Sequence, residues 1–355
     1  VTASGVGGTR FVWSGGPLAW TAKAWMPTPR SVFAAEAVAG KVYAIGGWDG
    51  TLFLNAVDAY DPATNTWAAK AAMPTARRGF ATGVVAGRVY AIGGENGPFV
   101  GTVEAYDPAT NTWTAKAAMP TARGYLGAGV VAGKVYAIGG WNGITLQTTV
   151  EEYDPGTDTW AGKAPMPTAR YGLVAGAAAG KVYAIGGNNG SYLSTVEAYD
   201  PGANTWTAKA PMPTARDSFA ATVVADRLYA LGGYNGAYVG AVEAYDPGTN
   251  AWTALPALPV ARYYLAAGAV SGKLYAIGGY DGAPLSTITV EEGTLGMAPG
   301  AAFTFTLTGQ VGEVCAATAV SNTAWVSGGF ACQTNVQQTN ATGFAVTPPA
   351  VSLVT

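Results

Sequence analysis

Residues 41–77 read KVYAIGGWDGTLFLNAVDAYDPATNTWAAKAAMPTAR, and this stretch decides the fold. The alternating apolar residues before the glycine pair at 46 and 47 predict a strand that ends at that pair. Asp61-Pro62 predicts a type I turn between two further strands, and Met73-Pro74 ends the second of them. Residues 31–38, which are small and apolar, add a strand on the N-terminal side. The stretch therefore predicts four short strands, named a to d, and no helix.

This four-stranded unit is a repeat. Its landmarks are the first glycine of the pair, a tryptophan and an arginine, and each returns every 46 or 47 residues in the same phase. The glycines are Gly46, Gly93, Gly139, Gly186, Gly232 and Gly278. The tryptophans are Trp20, Trp67, Trp113, Trp160, Trp206 and Trp252. The arginines are Arg30, Arg77, Arg123, Arg170, Arg216 and Arg262. Such a period is typical of solenoids and propellers.

The order Gly-Gly, then Tyr-Asp-Pro, then Trp seven residues after the Tyr resembles the kelch repeat, over residues 20 to about 293. The resemblance implies an all-β, six-bladed kelch β-propeller in which each unit is one blade. The physics agrees, because a single four-stranded sheet of this kind cannot bury both faces unless it packs against neighbours in a ring. Tyr60, Trp67 and their equivalents are expected between the blades.

The two ends of the repeat region are expected to close the ring. Leu18–Lys23 form a strand d with no strand a or b before them, whereas the last unit loses the pattern after strand c, where Gly293 replaces the Tyr. We therefore predict that residues 18–24 supply the outer strand of the last blade, which removes an open edge. Residues 1–17 are then an N-terminal extension, and residues 18–293 are the propeller.

Residues 294–355 leave two interpretations open. Residues 316–330 resemble residues 266–280 in register, which allows a degenerate seventh blade and hence a seven-bladed ring. The segment lacks the repeat's arginine and its Asp-Pro turn, which favours a separate small C-terminal β domain or tail. Cys315 and Cys332 lie on the two arms of a predicted hairpin, so a disulfide between them is compatible with either interpretation.

Composition excludes several classes of function. The chain has no histidine, only 11% charged residues and a net charge of −2. Histidine bases and ligands are thus absent, and no electrostatic footprint for nucleic acid or an anionic membrane is present. No apolar run reaches the length of a membrane span. Low charge, two cysteines and a start at Val1, interpreted as the product of a cleaved signal, predict an extracellular or cell-surface location.

Charges that recur in every repeat are interpreted as architecture. The six arginines that follow Met-Pro or its equivalent are expected to pair with an acidic column, which gives six copies of one structural ion pair and not six active sites. That column is Asp58, Glu104, Glu151, Glu197, Glu243 and Glu291.

The residues outside these columns define the predicted binding face. In kelch propellers the b–c loops, which follow the glycine pairs, and the d–a loops line one face, which often binds ligands. Aromatic residues with amide and carboxylate neighbours suit sugar rings or a peptide. The same residues also have plainer roles, since Asn-Gly and Asp-Gly form turns and aromatics pack. The candidates are Trp48, Asp49, Arg78, Glu95, Asn96, Tyr125, Trp141, Asn142, Tyr171, Asn188, Asp217, Tyr234, Tyr263, Tyr280 and Asp281.

Three functions remain open. The first is a secreted, non-catalytic propeller that binds glycan or protein on this face. The second is a self-assembling subunit of an extracellular filament or surface layer, because residues 1–13 and 346–355 can add strands to a neighbouring copy. The third is a metal-free sugar mutarotase or epimerase, with Glu36, Glu95, Asp217 and Arg78 as its candidates. Sialidase boxes, nucleophile elbows, phosphate loops and metal-ligand spacings are absent, so no catalytic residue, metal or cofactor is predicted.

Overall fold

The computed structural model describes residues 18–282 and 290–294, which fold into 24 β-strands and their connections. The strands form four-stranded sheets in which each strand pairs antiparallel with the next. Blade 1 contains β2 (Ala34–Val38), β3 (Lys41–Trp48), β4 (Phe53–Asp61) and β5 (Thr66–Lys70). Blade 2 contains β6 (Ala81–Val85), β7 (Arg88–Ile92), β8 (Val103–Asp107) and β9 (Thr112–Lys116). Blade 3 contains β10 (Gly127–Val131), β11 (Lys134–Ile138), β12 (Val150–Asp154) and β13 (Thr159–Lys163).

Two further sheets repeat the same order. Blade 4 contains β14 (Val174–Ala178), β15 (Lys181–Ile185), β16 (Val196–Asp200) and β17 (Thr205–Lys209). Blade 5 contains β18 (Ala220–Val224), β19 (Arg227–Leu231), β20 (Val242–Asp246) and β21 (Ala251–Leu255). The last sheet, blade 6, contains β22 (Ala266–Val270), β23 (Lys273–Ile277), β24 (Val290–Thr294) and β1 (Ala19–Lys23). The all-β propeller architecture is therefore confirmed, with five blades of continuous chain and one composite sheet.

The composite sheet closes the ring. β1 is its outer strand and pairs with β24 along its whole length, from Ala19 opposite Thr294 to Lys23 opposite Val290. This is the place that the sequence predicts for the strand containing Trp20, although β24 ends one residue beyond the predicted boundary at 293. The innermost strands contact one another in a closed cycle, in which β22 meets β2. Among the described strands, β22 is therefore the direct neighbour of β2.

The remaining predictions about the chain ends lie outside the described residues. They concern the extension at residues 1–17, the tail with Cys315 and Cys332, and the alternative seventh blade at residues 316–330.

One amide side chain per junction connects neighbouring blades. Asn111, in the c–d turn of blade 2, accepts a hydrogen bond from the Tyr106 hydroxyl at 2.7 Å and another from the Ala71 N–H at the end of blade 1 at 2.9 Å. The Trp113 indole donates to the Ala71 carbonyl oxygen at 2.9 Å. In blade 3 Asp158 replaces the asparagine and accepts the same two bonds. The repeated Tyr and Trp thus lie between the blades, as predicted.

We expect Asn111→Ala to lower the free energy of unfolding by about 2–3 kcal/mol. The substitution removes two hydrogen bonds and leaves alanine at a φ of 55°, a region that asparagine and aspartate tolerate better. Asn111→Asp should stay within about 1 kcal/mol of the wild type, because the chain already uses Asp158 in this role. Urea unfolding of both variants measures the difference, and equal losses would contradict this account.

The predicted arginine–acid pairs are confirmed in the five continuous blades. Each arginine is enclosed in its blade, and its guanidinium meets the carboxylate of strand c, as Arg77 meets Glu104 at 2.9 Å. The pairs are Arg30–Asp58, Arg77–Glu104, Arg123–Glu151, Arg170–Glu197 and Arg216–Glu243. The sixth predicted pair involves Glu291, whose side chain is outside the described residues. These charges belong to the architecture of the blades.

Candidate functional site

The d–a and b–c connections lie at the same end of each blade. Within a blade the two connections are joined by a pair of reciprocal backbone hydrogen bonds, such as those of 3.0 and 2.9 Å between Arg78 and Glu95. The joined residues are Ser31–Trp48, Arg78–Glu95, Gly124–Trp141, Tyr171–Asn188, Asp217–Tyr234 and Tyr263–Tyr280. We call this end the loop face and the opposite end, with the a–b and c–d turns, the turn face. Most of the predicted site residues are thus brought to one surface.

A closed ring of backbone hydrogen bonds surrounds the central channel at the loop face. One residue per blade donates its N–H to the carbonyl oxygen of the equivalent residue in the preceding blade, at 2.6–3.0 Å. All have positive φ, between 52° and 61°. The members of this mouth ring are Val32, Gly79, Tyr125, Gly172, Ser218 and Tyr264. Tyr125 and Tyr264 come from opposite blades and their ring centroids are 6.5 Å apart, so side chains meet across the mouth ring.

Arg78 and Glu95, both on blade 2, form an ion pair on the loop face. The pair contacts side chains of blades 1 and 3. The Arg78 guanidinium contacts the Glu95 carboxylate at 3.2 and 3.3 Å and lies over the rings of Trp48 and Phe53, at 4.9 and 5.3 Å from their centroids. Glu95 also accepts a hydrogen bond from the Tyr125 hydroxyl at 3.0 Å. Burial is the main cause that raises the pKa of Tyr125, so this hydroxyl stays a donor at neutral pH.

Tyrosines dominate the other half of the loop face. Six of them form a continuous cluster across blades 4 to 6, with neighbouring ring centroids 4.4–6.0 Å apart. We call them the tyrosine cluster: Tyr192, Tyr234, Tyr238, Tyr263, Tyr264 and Tyr280. Burial raises the pKa of Tyr264 to about 12. The cluster is therefore a neutral surface of ring faces and hydroxyls, and Tyr238 is its most exposed member.

Asp217 lies beside the tyrosine cluster and is only 6% exposed. The Asn188 amide donates a hydrogen bond to its carboxylate at 3.0 Å. Burial raises the pKa of Asp217, and the hydrogen bonds from Asn188 and Ser218 oppose that rise. In the part of the chain that the structure describes, no lysine or arginine pairs with this carboxylate.

The remaining predicted residues have simpler environments. Asp49 and Asn142 cap turns, since each side-chain oxygen accepts backbone N–H bonds from residues two and three positions later, at 2.7–2.9 Å. Asn96 is exposed, whereas Trp141 and Asp281 are half-buried. One face of the Trp48 ring is covered by Arg78, whose guanidinium carbon lies 4.9 Å from the ring centroid.

The exposed apolar side chains are concentrated on the loop face. Within residues 18–282, every large hydrophobic residue that is highly exposed belongs to a b–c or d–a connection: Trp25 (71%), Leu52 (62%), Ile144 (83%), Tyr238 (39%) and Val260 (39%). The turn face instead carries a series of exposed ion pairs, namely Lys41–Asp61, Arg88–Asp107, Lys134–Asp154, Lys181–Asp200 and Arg227–Asp246. The two ends of the propeller thus differ in chemistry.

Glu36 is placed apart from the other catalytic candidates. It lies on β2 in the wall of the channel, which has a volume of about 510 Å³. Burial raises its pKa to about 7, and a hydrogen bond with Thr82 opposes the rise. Arg78 and Glu95 meet, Asp217 contacts Asn188, and Glu36 contacts Thr82, so the structure shows three separate groups.

Two features are absent from the described residues. These residues contain no group of three or more Cys, Asp or Glu arranged to hold a metal ion. Nor is there, among them, a helix whose length and apolar character would let it cross a membrane.

The sequence also contains a pattern that indicates part of the loop face, although the prediction above did not use it. In blades 1 to 5, the b–c loop carries a second large residue four or five positions after the first, and the two form a backbone bridge or a ring contact. This column is Phe53, Phe99, Leu146, Tyr192 and Tyr238. No such column indicated Trp25, Ile144 or Val260, because the residues at the equivalent positions of the other repeats differ.

Comparisons with known proteins agree with this architecture. The family model described as "KLHDC2/KLHL20/DRC7 Kelch-repeats domain" matches residues 12–140 and 153–279, and the Kelch motif model matches residues 122–167. No curated protein matches the chain. A solved structure titled "Structure of YjhT" is 20% identical, with a TM-score of 0.64, and the likeness covers 76% of this chain and 95% of that one. At this identity the likeness is one of fold alone.

Proposed function

Because the chain belongs to the kelch-repeat family, we propose that it is a recognition propeller that binds a protein partner on its loop face without catalysis. The observation that carries the proposal is the concentration of exposed apolar side chains on that face. Exposed apolar patches rimmed by polar groups mark interaction sites. Arg78, Glu95 and the turn-capping side chains add polar groups to the same face.

The chemistry of these residues favours a protein over a glycan. Leu52, Ile144 and Val260 are aliphatic and offer no ring on which a sugar can stack. The Arg78 guanidinium already lies over the Trp48 ring, which leaves that ring less open to a sugar. Aliphatic and tyrosine side chains next to an arginine instead resemble the composition of protein interfaces.

A triple variant tests the loop face directly. We expect Leu52→Ser, Ile144→Ser and Val260→Ser together to weaken binding of peptides selected on the wild-type protein from a random phage library by about 100- to 200-fold, since each loses about 1 kcal/mol of apolar burial and about 1.4 kcal/mol corresponds to a factor of ten. Folding should be unaffected, because all three side chains are exposed. Affinities are measured by biolayer interferometry with synthetic peptides.

The matched control changes the turn face. Lys41→Ser, Lys181→Ser and Arg227→Ser remove three exposed ion pairs and should leave peptide affinity unchanged. Failure to select any peptide, or equal binding to the loop-face triple variant, would refute the proposal. Glycan-array binding that disappears in the same variant would keep the site and replace the protein ligand by a sugar.

A further inference from the structure

Asp217 differs from the buried carboxylates of strand c in its partners. The five buried carboxylates of strand c each receive an arginine guanidinium, whereas Asp217 receives only the Asn188 amide and the Ser218 hydroxyl. Its other neighbours are neutral tyrosines: Tyr171, Tyr192, Tyr263 and Tyr264. A buried carboxylate without a cation is costly, because it loses hydration that neutral hydrogen bonds replace only in part. The described fold therefore brings no cation to the Asp217 carboxylate.

The chain itself shows how such a charge is satisfied on the loop face. Three blades away, Glu95 is neutralised by the Arg78 guanidinium, which lies over two aromatic rings. Arg78 and Glu95 occupy the same two joined positions as Asp217 and Tyr234. Blade 5 thus has the carboxylate and the aromatic surface of that arrangement, but no arginine.

The tyrosine cluster supplies the aromatic surface for a cation at this point. The ring centroids of Tyr234 and Tyr263 are 5.4 Å apart, and that of Tyr238 lies within 6 Å of both. Tyr234 and Tyr263 are half-buried and Tyr238 is exposed, so the cluster borders solvent. Ring faces attract cations, and a planar guanidinium both stacks on them and donates two parallel hydrogen bonds to a carboxylate.

We propose that Asp217 and the tyrosine cluster form a subsite for an arginine side chain of the bound partner, whose guanidinium lies against the rings and pairs with the Asp217 carboxylate. This inference rests on the proposed function. It predicts that the partner presents an arginine next to apolar residues, which meet the exposed aliphatic side chains of the same face.

The first test uses two small probes on full-length protein with labelled tyrosine rings. N-acetyl-arginine methylamide should shift the ring signals of the tyrosine cluster in a saturable way in NMR spectra. N-acetyl-citrulline methylamide, which has the same shape without the charge, should bind at least tenfold more weakly. Asp217→Asn should reduce arginine binding to the level of citrulline. Equal affinities for the two probes, or full arginine binding by Asp217→Asn, would overturn the subsite.

Asp49→Asn is the matched control variant. It removes another loop-face carboxylate, and Asn142 shows that asparagine caps the same turn. Arginine binding should be unchanged in this variant. A loss equal to that of Asp217→Asn would mean that net charge, and not the subsite, attracts the probe, and would also overturn the proposal.

Unfolding without ligand gives an independent readout. Because the folded-state pKa of Asp217 is raised, its favourable contribution is complete below the unfolded pKa and is lost as pH rises through the folded value. Asp217→Asn avoids this loss, so at pH 7 it should unfold at a higher urea concentration than the wild type, and the gap should close towards acidic pH. A lower midpoint at pH 7 would make Asp217 a structural anchor and overturn the proposal.

The two proposals fail in different ways. If the arginine probe does not bind but selected peptides still depend on Leu52, Ile144 and Val260, the binding face stands and only the subsite falls. If no peptide depends on those three residues, the proposed function fails as well.

Discussion

Arg123→Met is expected to lower the free energy of unfolding by about 3–5 kcal/mol. Arg123 is fully buried, and its guanidinium pairs with Glu151 at 2.5 Å and donates to the backbone carbonyl oxygen of Ala137 at 3.1 Å. Methionine fills part of the space but leaves the Glu151 carboxylate enclosed, with the Thr121 hydroxyl as its remaining donor at 2.9 Å. Urea unfolding followed by circular dichroism measures the loss.

Two further variants show whether the loss of stability arises from the Glu151 carboxylate that is left without its arginine. Arg123→Met combined with Glu151→Leu should recover most of the stability, because an apolar pair of similar volume avoids the desolvation of both ions. Arg88→Met breaks the exposed pair with Asp107 and should cost less than about 1 kcal/mol. If Arg123→Met cost no more than Arg88→Met, the buried column would not be structural.

Gly94→Ala is expected to cost about 3–5 kcal/mol, the second large effect. Gly94 is the second glycine of its pair and has a φ of +104°. A Cβ there would lie 2.8 Å from the Arg78 carbonyl oxygen and 2.8 Å from the Phe80 Cβ, within the joined loop connections. The clash adds to the backbone strain, and thermal and urea unfolding measure both together.

Gly97 provides a matched control in the same loop. Its φ is +106°, but a Cβ would meet no atom within 4 Å. Gly97→Ala should therefore show the backbone strain alone, about 1–2 kcal/mol. Equal costs at the two positions would mean that close approach plays no part in the need for glycine at position 94.

The features of the fold that follow from local chemistry could be predicted from the sequence. Glycine pairs, Asp-Pro turns and the Tyr and Trp columns fix strands and inter-blade contacts in every repeat. The arginine–acid pairs could also be predicted, because opposite charges in two columns of the repeat indicate one repeated contact. Asp158 was not recognised, because an aspartate in a turn gives no sign that its oxygen holds the neighbouring blade. Its role depends on a contact between residues about 40 positions apart.

The site was predicted less completely because it depends on contacts between blades. The two loop columns were identified by position, but nothing in the sequence showed that Tyr238 touches Tyr263 and Tyr280. Arg78 and Asp217 share a column, and sequence alone allowed them to face each other across the channel mouth. In the structure Glu95 takes the guanidinium of Arg78. Because Arg78 pairs with Glu95 and not with Asp217, only the structure shows that Asp217 has no cation partner.

The pairing of β1 with β24 has a consequence for synthesis on the ribosome. Ala19 and Thr294 are about 275 residues apart in the chain. The ring can therefore close only after β24 has been synthesised, long after β1. At roughly 5–20 residues per second, translation keeps them apart for tens of seconds. Throughout that interval the nascent chain exposes the unpaired edge of β1, and chaperones that cover such edges have time to act.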